Sequence, residues 1–285
     1  MKKRKLPKNI MCVAIVAIII GCLTLICASG QIAYEVADNF ECWRPDYEMQ
    51  KDELLRIMDK SELSKEDYTF LYEQTGLTKI GIDRARERGA NGTRRVSAIQ
   101  DDYFKEHTVV HHTFSPYICF CRIGDRISNI YLEEGDIVVN SSTNLLGWRM
   151  GHSGLVTYAN GADAEVLQAA AIGTVSAIGN IADFTDKITF MVLSPKVEKD
   201  KKKEVVNYAA KNLLGIPYNP LRGIFSPKDK IDDTQCAHLV WYAYHKFGID
   251  IDGNGGGLVT PQDFANSSNM EVVQVFGFNP TTLWK

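Results

Sequence analysis

Asp232-Asp233-Thr234-Gln235-Cys236-Ala237-His238-Leu239-Val240-Trp241-Tyr242-Ala243-Tyr244-His245-Lys246-Phe247-Gly248-Ile249 is the stretch that decides how this chain reads. Asp233 or Thr234 can cap a helix start, and Gly248 can take the left-handed stop. Cys236, Leu239, Val240, Ala243 and Phe247 recur at i, i+3, i+4, i+7 and i+11. That spacing predicts a helix over 234–247 with one buried face and a cysteine in its first turn. Free N–H groups and the positive dipole end favour a thiolate there, and a thiolate is the competent nucleophile. The plain alternative is a small buried core cysteine. His238 falls about 200° round the helix from Cys236, and His245 also faces away. A base must come from elsewhere.

Upstream, Gly147-Trp148-Arg149-Met150-Gly151-His152-Ser153-Gly154-Leu155-Val156-Thr157-Tyr158 opens with turn residues and ends in alternation. This predicts a strand with His152 at its start, between two glycines that leave room for another group to approach. Ser153 is not a serine-hydrolase nucleophile, because that turn needs glycine where Leu155 stands.

Around these two stretches the texture divides. Residues 31–115 read as helices over 46–60, 61–77, 79–89 and 98–106, with Asp46 as one cap and Ser64 to Asp67 as a capping box. Short strand-like runs follow at 118–123, 136–140, 153–158, 165–172, 188–193 and 272–275, with helices at 199–214 and 234–247. Asn160-Gly161 signals a hairpin. Strands then helices, without regular alternation, predict an α+β fold: an antiparallel sheet packed with the cysteine-bearing helix.

Six segments in order carry a more specific likeness: Asp136-Ile-Val-Val-Asn140, Gly151-His-Ser-Gly-Leu-Val156, Val166-Leu-Gln-Ala169, Gly215-Ile-Pro-Tyr-Asn219, Gln235-Cys-Ala-His-Leu-Val240, and Val259-Thr-Pro-Gln-Asp-Phe264 with Ser267. Together they resemble the circularly permuted papain-like hydrolases, the NlpC-type superfamily in its YiiX-like branch. In that group the histidine strand precedes the cysteine helix, as here. Gln74-Thr-Gly-Leu77 resembles a segment upstream of such domains. The resemblance implies a permuted papain-like domain over 116–285, with Cys236 as nucleophile, His152 as base and Tyr218 as a substrate contact. The third, orienting position falls on Gln168, where the family usually has glutamate.

Hairpin geometry weighs that departure. Glu165 and Gln168 lie on opposite faces of one strand. A two-residue turn at Asn160-Gly161 pairs Val156 with Glu165 and leaves Glu165 roughly 13 Å from His152. A three-residue turn or a bulge pairs Gly154 with Gln168, and His152 becomes its diagonal neighbour at roughly 7–8 Å between backbones. Gln168 is therefore the expected partner. Its amide oxygen orients a neutral imidazole but stabilises imidazolium less than a carboxylate would.

The chain has 285 residues with net charge −3, yet residues 1–30 hold five bases and no acid. The remainder carries 27 bases against 35 acids, which argues against nucleic acid as a partner. Residues 9–29 are uncharged, and Ile10 to Ala28 is nearly all apolar, about 28 Å long as a helix. The reading favours an N-terminal transmembrane anchor over 1–30 with the catalytic part outside the cell. Cleavage near Ala28-Ser29-Gly30 and a lipoprotein at Cys22 are the alternatives. Outside that run stand Cys42, Cys119, Cys121 and Cys236, too few for a disulfide scaffold. His111-His112 with Cys119 and Cys121 fits no structural zinc spacing, and the loop from Asp250 lacks the closing glutamate of a calcium site. No metal and no cofactor are expected. The expected activity is cleavage of an amide, with a peptidoglycan stem peptide as leading substrate, or of a lipid or acyl ester. A non-catalytic binding module using the same cleft is the competing reading.

Overall fold

A computed structural model describes residues 15–22, 32–36, 43–112, 118–120, 126–145, 148–279 and 284. A six-stranded antiparallel sheet forms the centre. Its strands are β4 (Ile137–Asn140), β7 (His152–Tyr158), β8 (Glu165–Gln168), β9 (Ala177–Asn180), β10 (Phe190–Pro195) and β11 (Met270–Phe276), in the order β11-β10-β4-β7-β8-β9. The central strands β4 and β10 are buried along their whole length, because both faces of the sheet are covered. Two smaller assemblies accompany the sheet: β1 (Ile32–Val36), β2 (Thr108–His112) and β3 (Ile118–Phe120), and the pair β5 (Asn144–Leu145) and β6 (Trp148–Arg149).

On one face Ile137, Val139, Leu155 and Leu167 pack against α7 (Lys199–Asn212) and α8 (Cys236–His245). On the other, Val138, Val156, Val166 and Val192 meet Ile181 and Phe184, around the one-turn helix α6 (Ala182–Thr185). Period-two alternation sorts the strand residues between these cores.

The segment before the sheet is helical: α2 (Lys51–Met58), α3 (Lys65–Thr75), α4 (Lys79–Arg86) and α5 (Ala90–Phe104), round a core that includes Leu54, Leu71, Ile82, Val96 and Ile99. The capping box at the start of α3 forms as expected, with Asp67 N–H donating to Ser64 Oγ at 3.2 Å and Ser64 N–H to Asp67 Oδ2 at 3.0 Å. Asp46 caps nothing. Its expected helix begins five residues later, because the chain is still non-helical at Gln50, whose N–H donates to Gln74 Oε1 at 2.8 Å. The last helix of the segment starts earlier than expected, where Gly92 lets the backbone of Ala85 approach: a Cβ there would lie 1.7 Å from its carbonyl oxygen.

Gln74 to Leu77 is the splice between helices and sheet. Gly76 takes φ 68°, Leu77 bridges to Gln274 on β11, and Val275 N–H donates to Gly76 O at 2.8 Å. Beneath it, the Arg84 guanidinium grips the fully buried Asp136 carboxylate at 2.7 Å and 3.3 Å, and Lys202 reaches the same group at 3.1 Å. Two cations from α4 and α7 thus meet one buried anion at the head of β4, and Arg84 Nε also pairs with Glu133 at 3.3 Å.

The expected membrane span is not shown. Residues 15–22 form the helix α1, the rest of the apolar run lies outside the described residues, and no described helix is long and apolar enough to cross a membrane. Cys42 and Cys121, and the side chains of His111, His112 and Cys119, also lie outside them.

Candidate active site

Cys236 is the first residue of α8, as the helix reading requires, but neither Asp233 nor Thr234 is the cap. Gln235 is: its Oε1 accepts the Ala237 N–H at 2.8 Å, and its Nε2 donates to Val259 O at 2.6 Å. Thr234 is spent instead on His238 Nδ1 at 2.9 Å. His238 Nε2 donates to Lys228 O at 2.8 Å, and burial takes the His238 pKa down to about 4. That ring is neutral with both nitrogens engaged, which excludes it as the base. His245 lies on the far side, stacked on Trp241 at 4.3 Å.

His152 opens β7 and faces the cysteine. The β7–β8 register sets Leu155 opposite Leu167 and Val156 opposite Val166, so continuing it one step puts Gly154 across from Gln168. A bulge between Val156 and Tyr158, with a 3-10 turn at Gly161–Asp163, supplies the odd residue that this register needs. His152 Nε2 bonds Gln168 Oε1 at 2.7 Å. The remaining ring nitrogen, Nδ1, is left for the Cys236 thiol, whose Sγ also lies 3.5 Å from Gln235 Oε1.

Three further residues complete the arrangement, and no sequence pattern marks them. Gln168 Nε2 donates to Asp183 Oδ2 at 2.5 Å. Phe184 stacks on the His152 ring at 5.1 Å between centroids and 11° between planes. Gly179 lies under the Gln168 amide, and a Cβ there would come within 2.1 Å of Nε2. Asp183 and Phe184 share a single helical turn, too short for periodicity to register.

Opposing effects set the charges of the pair. Burial presses the Cys236 thiol pKa up, but the hydrogen bond and charge of His152 outweigh it, helped by the Ser153 N–H. The net is a thiol more acidic than usual. Burial likewise presses the His152 pKa down, and the thiolate outweighs it, with Gln168 adding and Lys187 opposing; the net is upward. Both shifts favour a thiolate–imidazolium pair.

The pair lies on a cleft of about 310 Å³. Met150, Ala171, Ile172, Tyr218, Pro220 and Leu258 supply much of its wall. Among the described residues, no Asp, Glu, Lys or Arg lines it. The side chains of Trp148 and Arg149 lie outside the described residues. Scans against protein-family models, curated proteins and solved structures return no match to this chain.

Proposed function

We propose that the protein is a cysteine hydrolase of the permuted papain-like kind, acting on an amide, ester or thioester. The observation that carries this is a helix-terminal thiol paired with an imidazole whose other nitrogen is held by a side-chain acceptor. Cys236 Sγ attacks the carbonyl carbon, and the His152 imidazolium gives its proton to the departing nitrogen, oxygen or sulfur as that bond breaks. Water then attacks the thioester, His152 takes the water's proton, and the acid leaves as the thiolate is regenerated. The Cys236 N–H, an N1 donor without an intrahelical partner, suits the developing oxyanion, since the Ala237 N–H is consumed by the cap.

Among the described residues the lining is uncharged, which favours a lipid or other apolar acyl group over a peptidoglycan stem peptide, whose carboxylates call for Lys or Arg in the cleft. A stem-peptide amide remains the second substrate reading, on the strength of the resemblance. A binding module would use the same apolar cleft without turnover.

Peptide-resolved iodoacetamide labelling of the full chain across pH separates chemistry from binding. Cys236 is expected to label with an apparent pKa below the ordinary ~8.5 of a thiol, and His152→Ala is expected to remove that advantage. Slow labelling indifferent to His152 sinks the catalytic reading.

A further inference from the structure

We propose that the mouth of the cleft is a lipid-docking surface whose loop tips insert into a bilayer. The inference rests on the acyl-hydrolase reading above and adds where the substrate is met. Two loops form one side of the mouth. The first, residues 171–176, presents Ile172 with 67% of its surface exposed, and Val175 is half exposed. The second, residues 219–227, presents Leu221 and Ile224 half exposed and Phe225 at 83%.

These loops are joined. Val175 bridges Pro217, and Tyr218 N–H donates to Thr174 O at 3.0 Å. Gly223 packs on Gly257, beside the cleft wall at Leu258; a Cβ at Gly223 would lie 2.0 Å from Gly257 O. The apolar side chains therefore share one rim, and Ile172 belongs to both rim and cleft wall.

Bulky apolar groups this exposed on a folded surface mark a surface that something apolar covers. A bilayer is the occupant the observations favour. The side chains stand on separate turn tips, which suits insertion among lipids better than the flat complementarity of a protein interface. Among the described residues no Asp, Glu, Lys or Arg lines the cleft wall that Ile172 shares with the rim, so an acyl chain leaving the bilayer meets an uncharged wall on its way to Cys236. The same chain holds an uncharged run from residue 9 to 34, behind five bases, and Ile15, Ile18 and Ile20 of α1 are exposed. Lipid is the environment such a segment suits.

The test uses the full chain in phosphatidylcholine vesicles, with a tryptophan placed by Phe225→Trp or, as control, by Tyr158→Trp at the far end of β7 from His152. Emission is compared with the parent chain in ordinary and brominated phosphatidylcholine. The expected result is quenching of the added fluorescence by half or more at position 225 and none at 158. A vesicle-bound protein with no quenching at 225, or equal quenching at both positions, overturns the proposal. So does an emission shift at 225 that follows protein concentration without lipid, since a second copy then covers the rim. Ile224→Ser with Phe225→Ser is expected to slow hydrolysis of a vesicle-borne acyl ester at least tenfold and leave a short soluble ester unaffected; equal loss on both substrates also overturns it. Quenching needs no turnover. An inert Cys236 with a quenched position 225 therefore removes the catalytic reading and keeps the docking surface, whereas a reactive Cys236 with an unquenched one does the reverse.

Discussion

Gln168 donates its amide nitrogen to Asp183 at 2.5 Å, and that single bond orders the protons of the site. A carboxylate only accepts, so the amide nitrogen must face Asp183 and the amide oxygen must face His152. His152 Nε2, 2.7 Å from that oxygen, must then carry a hydrogen, and Nδ1 is left to exchange a proton with the sulfur. Glutamine alone could be turned either way. Asp183 removes the choice and lends the imidazolium a negative charge one group further out.

Asp183→Asn is expected to lower kcat about 10- to 100-fold with KM little changed, the range for losing a charge-assisted hydrogen bond of ~1.5–3 kcal/mol. Asparagine can offer its own NH₂, which lets Gln168 turn its nitrogen towards His152 and select the wrong tautomer. Pairing Asp183→Asn with Gln168→Glu restores an acceptor beside the ring and is expected to recover much of the loss. Steady-state kinetics on the single and the double variant checks this, and Asp183→Asn activity equal to wild type refutes the tautomer argument.

The pH dependence follows from the two shifts. Cys236 ionises below the usual thiol range, so the thiolate appears as pH rises through that lowered value. His152 holds its proton above the usual imidazole range, so the acid is lost as pH rises through that raised value. Activity should be bell-shaped, with both limbs reporting the coupled pair. In His152→Ala the burial of Cys236 is no longer opposed by a cation, so the alkylation limb should move to alkaline pH. A limb that stays put would show that the imidazole does not hold the thiolate.

Gly179→Ala separates site geometry from stability. The new Cβ would meet the Gln168 amide at 2.1 Å and Asp183 Oδ2 at 2.8 Å, both ends of side chains that can swing aside. The edge strand β9 loses nothing by gaining a methyl group. The expected outcome is a Tm within a few degrees of wild type beside an activity loss of about tenfold or more, the scale of a displaced general base. Loss of both together would mean the strand itself fails.

Arg84→Leu tests the weld between helices and sheet. It leaves the buried Asp136 carboxylate with Lys202 as its remaining cation. Removing one partner of a buried pair costs about 3–5 kcal/mol, measurable by denaturant unfolding. Adding Asp136→Asn should deepen the loss, because the buried Lys202 ammonium then loses the carboxylate it pairs with. A double variant more stable than Arg84→Leu argues against charge as the cause.

The helix of Cys236 was legible because its apolar residues keep one period through to Gly248, which takes the left-handed stop at φ 73°. The strand of His152 was legible from its alternation. Gln168 was reached by counting register through the Asn160 turn, and the bulge realises that count. Its cap was misread because aspartate and threonine outrank glutamine at N-caps, whereas here Thr234 is taken by His238. β9, α6 and α9 (Pro261–Ala265) escaped because they are four or five residues long, shorter than the window periodicity needs.

The sequence by itself determined the longer elements and which of their residues face the interior, since period and punctuation are local properties carried by neighbouring side chains. It also determined that Cys236 would lie at a helix start and His152 at a strand start. Only the tertiary structure decided how those elements meet. Asp183 comes to Gln168 across 15 residues, and Phe184 comes to the His152 ring, through the packing of α6 on the face of the sheet that holds Val156 and Val166. Nothing local encodes that approach. The proton arrangement of the site depends on it, because a glutamine amide has two ends and only a distant carboxylate distinguishes them.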